Sequence, residues 1–173
     1  MHRRIVLALL ATASLAHAAP ELGGLTKRSQ ANFRFFGMSI YSIRLWSAEP
    51  VSPERWTEQK LALELEYARA LSGHEIAKRS LNEMRGQGAI ADAQANAWLA
   101  EMQAAFPDVK AGDRISGVYE PGVAAQFFVN GQPRRRIADA EFARRFFGIW
   151  LNPSTSEPAL RQQLLAAAHD GPR

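Results

Sequence analysis

The stretch Asn32-Phe33-Arg34-Phe35-Phe36-Gly37-Met38-Ser39-Ile40-Tyr41-Ser42-Ile43-Arg44-Leu45-Trp46 decides how the rest of the chain is read. Cationic and phenolic groups are set among apolar ones, which predicts one long strand, or two strands bent at Gly37, where glycine marks a bulge or bend. A period of two puts Ile40, Ser42, Arg44 and Trp46 on one face and Tyr41, Ile43 and Leu45 on the other. Downstream, Leu61, Leu63, Leu65 and Tyr67 alternate with Ala62, Glu64 and Glu66, the pattern of a half-buried strand. With Pro50 and Pro53 turning the chain between them, the two runs predict an antiparallel pair.

The period then changes. Ser72-x-x-Glu75 is a capping-box pattern, opening a helix that carries Ile76, Ser80, Leu81 and Met84 and closes at Gly86 and Gly88. A second helix runs from Ala91 to Phe106 on an apolar stripe of Ala95, Trp98, Leu99 and Met102, and Pro107 stops it. Ile115, Val118-Tyr119 and Gln126 to Val129 read as short strands. Asn130-Gly131 signals a hairpin because both residues tolerate positive φ, and Arg134 to Ile137 returns. Asp139 caps a helix to Leu151, and Ser156-Glu157-Pro158 opens a last one to about Ala168. Strands, helices, strands and helices follow without βαβ alternation. The expected class is α+β, with a largely antiparallel sheet and helices packed on it.

Composition narrows the function. His2, Arg3 and Arg4 precede an apolar run from Ile5 to Leu15, and Ala16-His17-Ala18 offers a small-x-small cleavage site. That predicts a signal peptide over residues 1–18, export to the periplasm and a mature domain over 19–173. The run is shorter than the roughly 20 residues a membrane span needs, so no integral membrane association is expected. The net charge of +4 includes Arg3 and Arg4, the other arginines are spread out apart from Arg134-Arg135-Arg136, and no nucleic-acid motif accompanies them. Nucleic acid is therefore not an expected partner. With no cysteine, a thiolate metal site and a cysteine nucleophile are excluded. After cleavage His74 and His169 remain, far apart in sequence, so neither a metal centre nor a cofactor is expected.

In order along the chain, Tyr41 with Leu45-Trp46, Leu65-x-Tyr67, Phe106-Pro107, Gly112-Asp113, Asn130-Gly131, Phe146-Phe147 and Trp150-Leu151 resemble the bacterial branch of the chalcone isomerase-like family. The resemblance runs from about Arg28 to Leu165 and implies an open-faced β-sandwich, an antiparallel sheet covered by a layer of helices. In plant members an arginine and a threonine on the early hairpin, with a tyrosine and an asparagine on a helix, line a flavonoid cleft. Fatty-acid-binding members hold a carboxylate there through arginine and tyrosine. Arg69-Ala70-Leu71-Ser72-Gly73 resembles the plant segment before the catalytic tyrosine. Carried forward, the tyrosine position reads Ile76, the asparagine position Glu83 and the threonine position Tyr41. The arginine is either Arg28 or Arg34.

The resemblance thus nominates Arg34 and Tyr41 for catalysis, and Arg34, Tyr41, Tyr67 and Ile76 for ligand binding. Ile76 can neither donate nor accept a hydrogen bond, whereas cyclising a chalcone needs a stabilised phenolate and enolate. An arginine kept without the rest of that network suits a small amphipathic acid, fatty-acid-like or aromatic, held between sheet and helices. An isomerase of the intramolecular lyase type and a non-catalytic envelope interaction module are the alternatives.

Overall fold

The computed structural model describes residues 19–166, so the expected signal peptide and His169 lie outside the described residues. Six strands pair in chain order, each antiparallel to the next. They are β1 (Thr26–Phe35), β2 (Met38–Ser47), β3 (Leu61–Tyr67), β4 (Arg114–Glu120), β5 (Ala124–Val129) and β6 (Gln132–Ile137). Helices α1 (Gly73–Arg85) and α2 (Asp92–Ala105) connect β3 to β4, while α3 (Ala140–Leu151) and α4 (Pro158–Leu165) follow β6. This is the α+β arrangement the element order predicts.

Alternation along the strands makes one face apolar, and the helices cover that face. Ile43, Leu45, Leu63, Tyr67, Ile115, Tyr119 and Phe127 are all buried there against the helical layer. Phe142 and Phe146 come down from α3 onto Phe127 and Phe147 onto Tyr119, with ring centroids 4.9 Å apart for Phe127–Phe146 and 5.2 Å for Tyr119–Phe147. Each buried phenylalanine contributes about 1.5–3 kcal/mol of transfer free energy. Gly117 leaves the room this needs: a Cβ there would lie 3.1 Å from Phe147 Cζ. On the opposite face Arg44 pairs with Glu64 at 3.0 Å and Glu66 at 2.7 Å. There Leu22 packs on Ala62 and Val118, so the lead-in before Gly23-Gly24 is seated on the sheet.

Of the two readings, two strands that break at Gly37 is the one observed, and the break is a full reversal rather than a bulge or a bend. Phe36 and Gly37 take φ of 46° and 77°, two consecutive left-handed residues that reverse the chain into a hairpin. Asn130-Gly131 builds the same kind of turn with φ of 49° and 80°. The capping box is also corrected. Ser72 stands at the N-cap of α1 but its side chain makes no cap bond. The Gly73 amide instead donates to Asp108 Oδ1 at 2.9 Å, so the segment after α2 caps α1. Asp139 caps α3 as expected, accepting from the Phe142 amide at 2.9 Å. Arg145, one of two adjacent arginines on α3 that sequence alone would leave in solvent, is buried. Its guanidinium donates to Glu141 and to the carbonyls of Gly88 and Ala89, pinning the α1–α2 connection.

Removing a working N-cap costs about 1 kcal/mol. Urea denaturation should therefore show Asp108→Ala less stable by about that amount. Ser72→Ala should stay within about 0.5 kcal/mol of the parent. The reverse order would restore the capping box and refute the cross-chain cap.

Candidate functional site

The helical layer and the sheet meet closely at Phe127 and separate toward the β1–β2 turn. A cavity of about 320 Å³ remains between them. Its floor is sheet (Leu63, Leu65, Tyr67, Ile115, Gly117), its roof is α1 and α3 (Ile76, Ser80, Phe146, Ile149, Trp150), and β1 and β2 close one side with Phe33, Phe35, Ile40 and Tyr41. That volume is at the lower end of the roughly 300–1,000 Å³ typical of ligand pockets.

Tyr41 and Tyr67 are paired directly across β2 and β3, with ring centroids 6.1 Å apart. The indole Nε1–H of Trp150 donates to Tyr41 Oη at 3.1 Å. Because that bond uses the oxygen as acceptor, the Tyr41 proton is left to donate. The Tyr67 hydroxyl has no hydrogen-bond partner among the described residues, and its ring is buried on the cavity floor. Burial pushes the Tyr41 phenol up to about 12 against the opposing effect of the Trp150 bond, and burial raises Tyr67 further. Both stay neutral donors at ordinary pH. An apolar cavity thus presents two O–H groups and calls for an acceptor.

Of the residues nominated from sequence, Tyr41, Tyr67 and Ile76 line the cavity together, and Glu83 lies at its rim. Arg34 does not line it. Phe33 and Phe35 point inward, so the residue between them faces away, and the exposed Arg34 guanidinium donates to the Gly37 carbonyl at 2.9 and 3.3 Å. Arg28 is at the other end of β1, bonded to the carbonyls of Ser47 and Ala48. Neither candidate arginine therefore meets the cavity. The cation at the rim is Arg79, which sequence reading missed, and it pairs with Glu83 at 2.6 Å. Glu83 also accepts from Ser156 Oγ at 2.7 Å, and Glu75 and Glu157 complete the rim. The signal was helical spacing: Ile76, Arg79, Ser80 and Glu83 share one face of α1.

Tyr119, the remaining tyrosine, is also raised by burial. At pH 11 the native protein should therefore show markedly less phenolate absorbance than the urea-unfolded chain, which titrates near pH 10. Folded phenols that ionise later than unfolded ones give stability that is complete below about pH 10 and falls as pH rises through about 12. Spectrophotometric titration with and without urea checks both statements. A native curve overlaying the unfolded one would place these phenols in water.

Three comparisons bear on ancestry. A protein-family model described as chalcone isomerase-like matches residues 8–166. An uncharacterized protein of Haemophilus influenzae is 30% identical over 135 residues, 78% of this chain and 65% of that protein, so the chain spans a little under two thirds of that relative's length. A solved fatty-acid binding protein of Arabidopsis thaliana superimposes with a TM-score of 0.63 at 11% identity, covering 84% of this chain and 89% of the other. At that identity the likeness is one of fold, and it extends to the open sheet with helices on one face. On the family match over nearly its whole length, the chain belongs to the chalcone isomerase-like family.

Proposed function

We propose that this protein is a periplasmic carrier of a small, singly charged amphipathic acid, with the acid's apolar body in the cavity and its head against Tyr41 and Tyr67. The observation that carries the reading is the pair of phenolic donors with free protons at the bottom of an otherwise apolar space. A carboxylate accepts such bonds strongly, and charge-assisted hydrogen bonds contribute roughly 1.5–3 kcal/mol each. Arg79 adds positive potential at the rim, although Glu83 already holds it. With Glu75, Glu83 and Glu157 around the mouth, a doubly charged head would meet repulsion, which selects a monocarboxylate over a phosphate or diacid. The fatty-acid binding protein of similar fold supports the same class of ligand.

The two phenols also suit the carbonyl of a chalcone, which keeps an isomerase as the second reading. That reaction needs the attacking phenolate favoured by a cation inside the site. The cation at this rim is Arg79, already neutralised by Glu83, and the position of the plant tyrosine is the hydrocarbon Ile76. Binding without turnover is the simpler use of such a cavity.

Displacement of a fluorescent fatty-acid probe tests the carrier reading. Dodecanoate should displace it and dodecanol should do so far less well. Tyr67→Phe should weaken dodecanoate by roughly tenfold or more, as expected for one charge-assisted bond. Ile76→Trp, which fills the roof, should abolish binding in a protein that still unfolds cooperatively. Equal affinity of parent and Tyr67→Phe would remove the donor pair from the site. Cyclisation of a chalcone by the parent, lost in Tyr67→Phe, would replace the carrier with the isomerase.

Export rests on the basic residues at 2–4, the apolar run and Ala16-His17-Ala18. The mass of the protein recovered from a periplasmic fraction should correspond to a chain beginning at Ala19. Recovery of the full-length chain from the cytoplasm would overturn it.

A further inference from the structure

Three large apolar side chains that folding leaves in water stand on one turn: Phe35 at 48% exposure, Phe36 at 87% and Met38 at 48%. Phe36 is also the residue in the left-handed region, φ 46°, where a bulky side chain is disfavoured. The chain solves the same geometric problem at Asn130-Gly131 with asparagine, which tolerates that conformation. At the first turn it instead holds a strained backbone beneath an aromatic ring that packs on little but Phe35, with centroids 4.5 Å apart. Neither local conformation nor core packing accounts for phenylalanine there.

We propose that the turn Phe35-Phe36-Gly37-Met38 inserts into the interface of an anionic phospholipid bilayer and sets the cavity mouth against it. The purpose of that docking, ligand exchange without passage through water, rests on the carrier reading above; the docking itself is tested separately. Two further observations select a lipid surface. The first is charge. No carboxylate occurs from Leu22 to Ala48, while Arg34 and Arg69 flank the turn. Both guanidiniums fold back onto it, Arg34 on the Gly37 carbonyl and Arg69 on Met38 Sδ at 3.1 Å. Cations ringing a short apolar tip are the composition that lies in an anionic interface. The rim carboxylates Glu75 and Glu83 sit beside Lys78 and Arg79 on α1, and Glu157 lies at the start of α4, so all three belong to the helical side of the mouth and the edge formed by the turn is the cationic one.

The second is shape and continuity. Three side chains on a two-residue turn form a point, whereas a stable protein partner needs roughly 800 Å² from each side. Phe35 is both part of that point and part of the cavity wall, so apolar surface runs unbroken from tip to interior.

The absence of cysteine makes the test site-specific. Phe36→Cys carries an environment-sensitive nitrobenzoxadiazole label at the tip. Val123→Cys carries it on the β4–β5 turn at the opposite end of the sheet, where Val123 is 51% exposed. With the full chain and ligand-free phosphatidylglycerol vesicles, the label at 36 should blue-shift and brighten severalfold. The label at 123 should not change, and pure phosphatidylcholine or high salt should suppress the response. Phe36→Asn recreates the Asn-Gly turn, so it should fold at least as stably as the parent and still bind dodecanoate. Its partition onto anionic vesicles should fall at least tenfold. Equal vesicle binding by parent and Phe36→Asn, or no response at position 36, would overturn the proposal. So would self-association that Phe36→Asn abolishes, since it would make a second copy the partner. Loss of dodecanoate binding in Ile76→Trp with vesicle binding intact separates failure of the cavity from failure of the tip.

Discussion

The hydrogen bond from Trp150 to Tyr41 crosses from the helical layer to the sheet where the two begin to diverge, and the character of the cavity depends on it. A buried indole N–H and a buried phenol each need a partner in low dielectric. By answering each other they tie α3 to β2, and the direction of the bond matters as much as its presence. Trp150 can only donate, so Tyr41 must accept there and keeps its own proton for whatever occupies the space. On the neighbouring strand Tyr67 meets no partner among the described residues, so the cavity is polarised as a donor site. Raised phenol pKa values are the other side of this arrangement, since an O–H held away from water ionises late and remains a donor.

Why a cavity survives at all follows from how the two layers pack. At the closed end Phe127, Phe142, Phe146 and Phe147 fill the gap over Gly117, whose missing Cβ lets Phe147 approach the sheet. Toward the β1–β2 turn the facing residues are Tyr41, Tyr67 and Ile76, held apart by the width of the tyrosines and the backbone contact of α1. A Cβ on Gly73 would lie 2.2 Å from the Phe106 carbonyl oxygen, so the start of α1 is locked against the chain leaving α2.

The fold was legible because its cause is periodic. Alternation in Tyr41, Ile43 and Leu45 and in Leu61, Leu63 and Leu65 marks the buried face residue by residue, and the glycine and proline stops mark the helices. The site was legible only in part. Tyr41, Tyr67 and Ile76 lie on faces that strand and helix periods identify, and the structure brings all three to the lining of one cavity. The arginine could not be read the same way. Between Phe33 and Phe35 the alternation already turns Arg34 outward, but a long charged side chain can curl around a strand edge, and sequence does not say that Gly37 captures it. Arg79 and Glu83 look like an ordinary solvated i,i+4 pair until the tertiary structure places their face over the cavity. Asp108 at the start of α1 and Arg145 under the α1–α2 connection depend on contacts between residues 35 and 57 positions apart, which no local pattern encodes.

The two hairpin turns then separate what folding requires from what it tolerates. Asn130-Gly131 and Phe36-Gly37 reverse the chain with nearly the same φ values, so the backbone makes the same left-handed demand at both. At residue 130 the side chain meets that demand cheaply and also works for the fold, accepting from the Arg114 amide at 2.9 Å. At residue 36 the side chain opposes the conformation and gains almost no packing in return. A position that costs stability in two ways is explained by an interaction made outside the folded chain. The neighbours of Phe36 limit what that interaction is: an apolar cavity wall on one side and the guanidiniums of Arg34 and Arg69 on the other. Donor site, dry wall and exposed tip therefore form one continuous path along β1 and β2. The turn that carries a phenylalanine in the left-handed region lies beside the cavity wall that Phe35 shares.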